Sequence, residues 1–344
     1  MKIATLAQKL ADRAARCFGY RLTPQSLLDL YQIGDGVRPT PARLKTGPTA
    51  DSAVYMRRDN PRLLELRTLC AGLDPALKTP PLWTDEYTSQ TDLSDFRGHS
   101  VWVWQRGNPN FHERAYLLAA YYVLAYDRLG LMEKLTEDGA FGAIAYEIAG
   151  RQVSRDLLDS ILEIDFLDRH LKITSRPRLS VLDIGAGYGR LAHRMLTALP
   201  SLGTYLCADA IPESSFVCEY YLRFRGLVGR FKIVPATEID AALVLARTDL
   251  AINIHSFSEC SLDAVEWWMA RLAAHAVKYF MIVPNACGHD GHLLRNNAGA
   301  DMLPLIERSG YRLVAKEPKY SDPEVQKLAL NPTWFWLFER GKEA

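Results

Sequence analysis

The spacing of apolar residues along the chain changes near residue 175. Before that point, apolar side chains recur mostly at i, i+3 and i+4, which is the spacing of an amphipathic helix. After it, short apolar runs alternate with helix-length segments, as in a doubly wound α/β domain. The pattern therefore predicts a mainly α-helical N-terminal domain over residues 1–174 and an α/β domain over residues 175–344.

Individual elements follow from the same pattern. Helices are expected near 3–17, 24–32, 61–72, 112–135 and 154–171, and strands at 179–184, 204–209, 231–235, 250–254, 279–283, 311–315 and 334–339. The first five strands are compact apolar runs, typical of strands that are buried on both faces of a parallel sheet. Only a Pro-containing loop separates the last two, which predicts an antiparallel closing pair. The expected sheet is seven-stranded and mostly parallel.

Composition and charge narrow the class of partner. The 344 residues include 41 Lys and Arg against 40 Asp and Glu, so the net charge of +1 indicates neither nucleic acid nor an anionic membrane. The longest uncharged apolar run, 115–126, has 12 residues, whereas a membrane span needs about 20. Six cysteines without C-x-x-C spacing, and an N-terminus without a secretory signal, favour a cytoplasmic protein. We expect a small molecule or another protein as partner, and the composition is compatible with a homo-oligomer.

A glycine-rich loop follows the first predicted strand of the α/β domain. The strand ends in Asp183-Ile184, and Gly185, Gly187 and Gly189 come next, immediately before a predicted helix. Nicotinamide dinucleotide sites have the pattern G-x-G-x-x-G, whereas here the third glycine comes one residue earlier. The next strand ends in Asp209, 20 residues beyond Gly189, where a carboxylate can accept both hydroxyls of a ribose. The spacing disfavours a nicotinamide dinucleotide and predicts a ligand that contains a ribose.

This variant resembles motif I of the class I S-adenosylmethionine (SAM) methyltransferases. The resemblance implies a Rossmann-like methyltransferase domain that binds SAM and releases S-adenosylhomocysteine (SAH). In methyltransferases of that class, the turn after the third strand lies near the adenine of the cofactor. Thr237 or Glu238 is therefore expected to contact the cofactor. The residues expected to bind the cofactor are Asp183, Gly185, Ala186, Gly187, Tyr188, Gly189, Asp209, Ala210, Thr237 and Asn253.

A closer resemblance is to a family of sugar O-methyltransferases. The residues that carry it are Asn-Ile-His-Ser-Phe-Ser-Glu at 253–259, the glycine loop, the segments 209–213 and 218–222, Ile-Val-Pro-Asn at 282–285 and Gly310-Tyr311. The similarity covers roughly residues 175–344 and extends loosely into the N-terminal half through Phe96-Arg97-Gly98. It implies methyl transfer to a hydroxyl of a glycoside or nucleotide sugar, in natural-product or polysaccharide biosynthesis.

Methyl transfer to a hydroxyl requires a group that removes the hydroxyl proton. SAM is already an activated donor, so the protein has to align the acceptor and supply a base within hydrogen-bond reach. The candidate bases are His255, Glu259, His289, Asp290 and His292. We favour His255 or Glu259 as the catalytic residue, because both flank the end of the fourth predicted strand. Each also has an ordinary structural role open to it, as a hydrogen-bonded histidine or as a first-turn carboxylate of the following helix.

Two further segments are candidates for binding the acceptor. The loop 284–292 lies at the ligand edge of the sheet and contributes His289 and His292. In the N-terminal half, Trp104 and Gln105 belong to an aromatic stretch that could stack on a sugar ring, although such stretches are also typical of a core. His-Asp-x-His at 289–292 contains residue types that bind metal ions, but ligands so close together in one loop rarely complete a metal site by themselves. No metal is predicted.

The predicted function is SAM-dependent O-methyl transfer to a small, sugar-containing acceptor by base-assisted in-line displacement. The motifs describe the cofactor and not the acceptor, so two alternatives stay open. One is an N- or O-methyltransferase of a non-sugar natural product, and the other is a SAM-binding protein without turnover. The glycine spacing disfavours a nicotinamide-dependent oxidoreductase.

Overall fold

The computed structural model describes residues 43–44, 49–78, 82–98, 113–286 and 291–341, together with Ala11 and Ala14. Of the helix predicted at 3–17, Ala11 and Ala14 are described and are helical, and the helix predicted at 24–32 lies outside the described residues. The described helices are α1 (Ala50–Tyr55), α2 (Pro61–Ala71), α3 (Pro75–Lys78), α4 (Asp85–Ser89), α5 (Glu113–Tyr126), α6 (Leu131–Lys134), α7 (Arg155–Leu171), α8 (Arg190–Ala198), α9 (Pro212–Phe224), α10 (Ile239–Ala246), α11 (Leu262–Ala274), α12 (Leu303–Arg308) and α13 (Pro323–Leu328).

Ten strands are described, and they form two sheets. They are β1 (Arg43–Leu44), β2 (Ala145–Ile148), β3 (Arg151–Ser154), β4 (Val181–Ile184), β5 (Tyr205–Asp209), β6 (Phe231–Pro235), β7 (Leu250–Ile254), β8 (Tyr279–Val283), β9 (Tyr311–Pro318) and β10 (Trp334–Arg340). The larger sheet has the order β6-β5-β4-β7-β8-β10-β9. Its first five strands are parallel, and β10 runs antiparallel to both β8 and β9. This order confirms the predicted Rossmann-like class I methyltransferase fold.

The described part of the N-terminal half contains elements that were not predicted, among them β1 and the short helices α1, α3 and α4. The helix predicted over 112–135 is two helices, because Gly130 takes a left-handed conformation (φ 64°) between α5 and α6. The Asp127 carboxylate then accepts the first backbone N–H groups of α6, from Leu131 and Met132. The strands β2 and β3 were not predicted at all. They form a hairpin whose turn, Ala149-Gly150, has positive φ at both residues (52° and 73°), as a two-residue hairpin turn of this kind requires.

Alternate residues of the central strands face two separate apolar layers. Along β4, Val181 packs into one layer and Leu182 into the other. The first layer continues into the N-terminal half through buried residues such as Leu63, Phe96 and Phe141. Leu73 and Leu77 belong to the second layer. The residues before 175 therefore share a core with both faces of the sheet, while the domain boundary at 174/175 stays a prediction. Within the described ranges, every helix is too short or too polar to span a bilayer.

Candidate active site

A cavity of about 400 Å³ opens at the carboxyl edge of the parallel strands. This volume lies within the range of small-molecule sites, about 300–1,000 Å³. Strand β4 lies between β5 and β7, so the connections leaving β4 and β7 run toward opposite edges of the sheet and leave a crevice between them. Segments of the N-terminal half, including Leu77 of α3 and Trp83, contribute to the cavity wall. The cavity therefore lies where a doubly wound sheet binds its ligands.

The glycine loop between β4 and α8 forms part of the cavity wall, and its three glycines have different surroundings. All three have positive φ, at 71° for Gly185, 58° for Gly187 and 83° for Gly189. A Cβ on Gly185 would overlap the side chain of Ser256, and a Cβ on Gly189 would lie 2.9 Å from Sγ of Cys218. By contrast, no described atom lies within 4 Å of the Cβ position of Gly187. Close packing accounts for the outer two glycines, and Gly187 leaves open space for a ligand.

Asp183 is the second-last residue of β4, is buried, and lines the cavity. Its Oδ2 accepts a hydrogen bond of 3.0 Å from the hydroxyl of Tyr205. Burial raises the pKa of the Asp183 carboxyl to about 7, against the smaller opposing effects of the Tyr205 hydrogen bond and the Arg190 charge. The carboxyl is thus close to half-ionised at neutral pH, and a cation in the cavity would favour its charged form.

Asp209 lies at the end of the neighbouring strand, β5, and its two oxygens accept different backbone groups. Oδ1 accepts the N–H of Ile211 at 2.9 Å, and Oδ2 accepts the N–H of Gly187 at 3.3 Å. Burial raises the pKa of Asp209 to about 6, while these and other hydrogen bonds oppose the shift. The carboxylate therefore joins the strand end to the glycine loop and still faces the cavity, together with Ala186 and Ala210.

His255 follows β7 in a strained conformation. Its φ of 68° is unusual for a residue other than glycine, and its backbone N–H donates to the carbonyl of Val283 at 2.7 Å. The ring lines the cavity, while Nδ1 is buried and has no hydrogen-bond partner within the described residues. Burial lowers the pKa of His255 to about 3, and the positive charges of Arg155, Arg190 and Lys319 act in the same direction. The imidazole is neutral at physiological pH.

Glu259 lies four residues further on, and both of its oxygens have partners. Oε2 accepts the indole N–H of Trp83 at 2.6 Å, and Oε1 accepts the amide of Asn285 at 3.3 Å. Burial raises the pKa of the Glu259 carboxyl, although the two hydrogen bonds act against the shift. Trp83 comes from the N-terminal half and Asn285 from the end of β8, so Glu259 joins three parts of the chain at the cavity wall.

Other predicted residues lie elsewhere or outside the described ranges. Asn253 is fully buried, and its amide donates to the carbonyl of Ile184 at 2.9 Å and accepts the N–H of Phe257 at 3.0 Å. It therefore holds the loop after β7 and does not line the cavity. Thr237 and His292 are exposed and also lie away from the cavity wall. Trp104, Gln105, His289 and Asp290 lie outside the described residues.

Several cavity residues were not predicted from the sequence. Arg155 and Asp156 begin α7, and Asn331 precedes β10. Arg155 and Asp156 are polar residues at the start of a helix that leads into the glycine-loop strand, which is a sequence signal for a site. No local pattern indicates Trp83 as a site residue, because its partner Glu259 is 176 residues away. No cluster of three or more His, Cys, Asp or Glu side chains suited to a metal occurs within the described ranges.

Solved structures that are similar to this chain align with about half of it. A SAM-dependent methyltransferase from Clostridium acetobutylicum aligns with 53% of this chain and 90% of its own, at 14% identity and a TM-score of 0.39. Magnesium protoporphyrin IX methyltransferase from Synechocystis, solved with bound SAM, aligns with 54% of this chain and 83% of its own, at 12% identity and a TM-score of 0.38. The [4+2]-cyclase SpnF aligns with 56% of this chain and 85% of its own, at 13% identity and a TM-score of 0.39.

No protein-family model and no curated protein sequence matches the chain. The fold assignment therefore rests on the strand order and connections of the sheet. The resemblance to sugar O-methyltransferases stays a hypothesis.

Proposed function

We propose that this protein is a SAM-dependent methyltransferase whose cavity at the carboxyl edge of the sheet binds the cofactor. The observation that carries the proposal is the convergence of Asp183, Gly187 and Asp209 on that one cavity. Two adjacent parallel strands carry a carboxylate in their last two residues, and the glycine loop after the first strand has open space beside Gly187. The arrangement suits a nucleoside with a cationic substituent.

The described residues fit this cofactor. Asp209 would accept the ribose hydroxyls, because it is a carboxylate at a strand end that faces the cavity. Gly187 would allow close approach of the nucleoside, and Asp183 would favour the positive charge of the methionine end. When bound, SAM supplies an electrophilic methyl group on a sulfonium.

We assign the role of general base to Glu259 rather than His255. A carboxylate whose pKa is raised by burial accepts a proton more readily than an exposed one. His255, with a pKa of about 3, stays neutral and resists protonation. The hydrogen bonds from Trp83 and Asn285 fix the orientation of Glu259, so that it can take the proton of an acceptor hydroxyl while His255 positions the acceptor.

The acceptor that we favour is a hydroxyl of a small, sugar-containing molecule. Amide and hydroxyl groups of Asn285, Ser261 and Asn331 line the cavity beside the indole rings of Trp83 and Trp268. Hydrogen-bonding side chains next to flat apolar rings are suited to a polyhydroxylated ring. The resemblance of residues 253–259 to sugar O-methyltransferases points to the same class.

Calorimetric titration with SAM and SAH tests the cofactor. We expect binding by the wild-type protein and a loss of about 1–3 kcal/mol for Asp209→Ala, because charge-assisted hydrogen bonds to the ribose are removed. Asp240→Asn, which alters an exposed carboxylate outside the cavity, is the matched control and should bind normally. Binding of NAD but not SAM, or equal affinity in Asp209→Ala, would refute the assignment.

Methyl transfer from SAM with an isotopically labelled methyl group, followed by mass spectrometry, tests the acceptor class. A panel of nucleotide sugars and glycosides is paired with the corresponding aglycones. Label on the sugar would support the proposal, and label on the aglycone would replace it with methylation of a non-sugar product. With a labelled acceptor in hand, Glu259→Gln should lower kcat by about 10²- to 10⁴-fold. His255→Asn, which tolerates the positive φ, should cost less, and the reverse order would exchange the two roles.

A further inference from the structure

A buried ion-pair network connects the N-terminal half to the glycine loop. Its centre is Arg97, whose side chain is fully buried. The guanidinium donates to both oxygens of Glu137, at 3.1 and 2.7 Å, and to the carbonyl of Ala140 at 3.2 Å. It also donates to Oδ2 of Asp156 from Nη2 at 3.3 Å and from Nε at 3.4 Å. Arg97 is part of Phe96-Arg97-Gly98, which has no role in the proposed reaction.

The carboxylate of Glu137 is held by many more donors. Its Oε1 accepts the backbone N–H groups of Asp138 and Gly139, and its Oε2 accepts the hydroxyl of Ser154 at 2.5 Å and the guanidinium of Arg194 at 3.0 Å. The neighbouring arginines keep the pKa of Glu137 well below its usual range. A buried network in which the charged groups are paired and hydrogen-bonded is rigid.

This network ends on the glycine loop. Tyr188, between Gly187 and Gly189, donates its hydroxyl to the same Oδ2 of Asp156, and that hydroxyl lies 3.3 Å from Nε of Arg97. The ring of Tyr188 packs against Phe96, with 5.4 Å between centroids. Arg194, the other arginine on Glu137, belongs to α8, the helix that follows the loop. The network therefore holds both the middle of the loop and the helix after it.

We propose that Arg97 is a positioning residue for the glycine loop, and that by holding Tyr188 through Asp156 it sets the affinity of the cavity for its cofactor. The inference rests on the proposed function. Three glycines give the free loop a large conformational freedom, and a ligand that orders such a loop loses affinity. A loop that is already held in place by Tyr188 avoids this loss. Cofactor affinity thereby depends on a residue of the N-terminal half.

A double-mutant cycle with SAH as the titrant tests the inference. Arg97→Met and Tyr188→Phe should each raise the Kd of SAH by about 5- to 20-fold, which is typical of residues in one hydrogen-bond network. Because both changes release the same loop, the double variant should bind SAH within about twofold of the weaker single variant. A merely structural contribution of Arg97 would give multiplicative losses. Where Arg97→Met does not fold, a cycle of Tyr188→Phe with Asp156→Asn takes its place.

Arg128→Met is the control for the loss of an arginine that pairs with α7. Arg128 donates to Asp168 at 2.7 Å near the opposite end of that helix and lies outside the cavity wall. The Kd of SAH for the Arg128→Met variant should therefore equal that of the wild type. Arg97→Lys should fall between wild type and Arg97→Met, because an ammonium keeps the charge but not the two-pronged geometry. Unchanged affinity in Tyr188→Phe, or multiplicative losses, would overturn the inference. No SAH binding by the wild type would instead refute the proposed function.

Discussion

At the scale of single residues, the buried carboxylates differ in whether a cation lies beside them. Asp183 and Asp209 have pKa values raised by burial to about 7 and about 6. Glu137 and Asp159 are equally buried, but adjacent cations lower their pKa values. Glu137 and Asp159 thus strengthen the fold in their ionised form, whereas burial destabilises the ionised form of Asp183 and Asp209.

The raised pKa of Asp183 predicts a pH-dependent effect of removing its charge. A carboxyl whose pKa is higher in the folded than in the unfolded protein stabilises the fold fully below about pH 4, the unfolded value, and this contribution is lost as the pH rises through about 7. Asp183→Asn cannot ionise and keeps an acceptor for Tyr205. Its Tm relative to the wild type, without cofactor, should therefore increase between pH 5 and pH 8. Thermal unfolding curves that stay parallel over this range would contradict the assigned burial effect.

At the scale of elements, the glycine loop is shaped by packing on two sides. Ser256, in the turn after β7, occupies the space beside Gly185, and Cys218 of α9 lies beside Gly189. The loop conformation is therefore a property of three elements and not of the glycines alone. The spacing of the glycines predicted the loop, but only the packing explains why each position requires one.

Alanine at two positions of the loop should have different effects. Gly185→Ala should lower the Tm more than Gly187→Ala, because both add a Cβ at positive φ but only the first overlaps Ser256. Gly187→Ala should mainly weaken SAM binding, since its Cβ would enter the open side of the loop. Ser256→Gly should restore part of the stability of Gly185→Ala and none of the SAM affinity of Gly187→Ala. Equal Tm losses in the two alanine variants would show that the overlap with Ser256 is unimportant.

At the scale of the whole molecule, the larger apolar layer connects much of the described N-terminal half to the sheet. Leu63 and Leu66 of α2 belong to the same buried cluster as Phe216 of α9 and Tyr205 of β5. Arg62 and Arg67 on the same helix form ion pairs with carboxylates of α9, but partly exposed pairs of this kind contribute little. The shared apolar layer is therefore expected to couple unfolding of the described parts of the two halves.

Neighbouring leucines on α2 test this coupling. Leu63 is fully buried, whereas the side chain of Leu64 is 48% exposed. Leu63→Ala should cost about 2–5 kcal/mol through lost burial and a cavity, and it should shift one calorimetric transition of the whole chain. Leu64→Ala should stay within about 0.5 kcal/mol of the wild type. A separate low-temperature transition in Leu63→Ala, with the main transition unshifted, would show that α2 unfolds independently of the sheet.

The sequence by itself determined the sheet strands, the glycine loop and the two acidic strand ends. These features depend on local spacing, because buried strands require apolar runs and a tight turn requires glycines. It did not determine the hairpin of β2 and β3, where Ala149 takes a positive φ that its residue type does not indicate. Nor did it distinguish between His255 and Glu259, since both are polar residues after one strand.

Only the tertiary structure decided how the distant parts of the chain act on the site. Trp83 and Arg97 are separated in sequence from Glu259 and Tyr188 by 176 and 91 residues, and no local pattern specifies such pairs. Burial likewise depends on the complete fold, so the direction of each pKa shift in the cavity could not be read from residue type. Local sequence specifies which polar side chains stand at the strand ends. Tertiary packing brings the distant side chains that orient them and shift their pKa values.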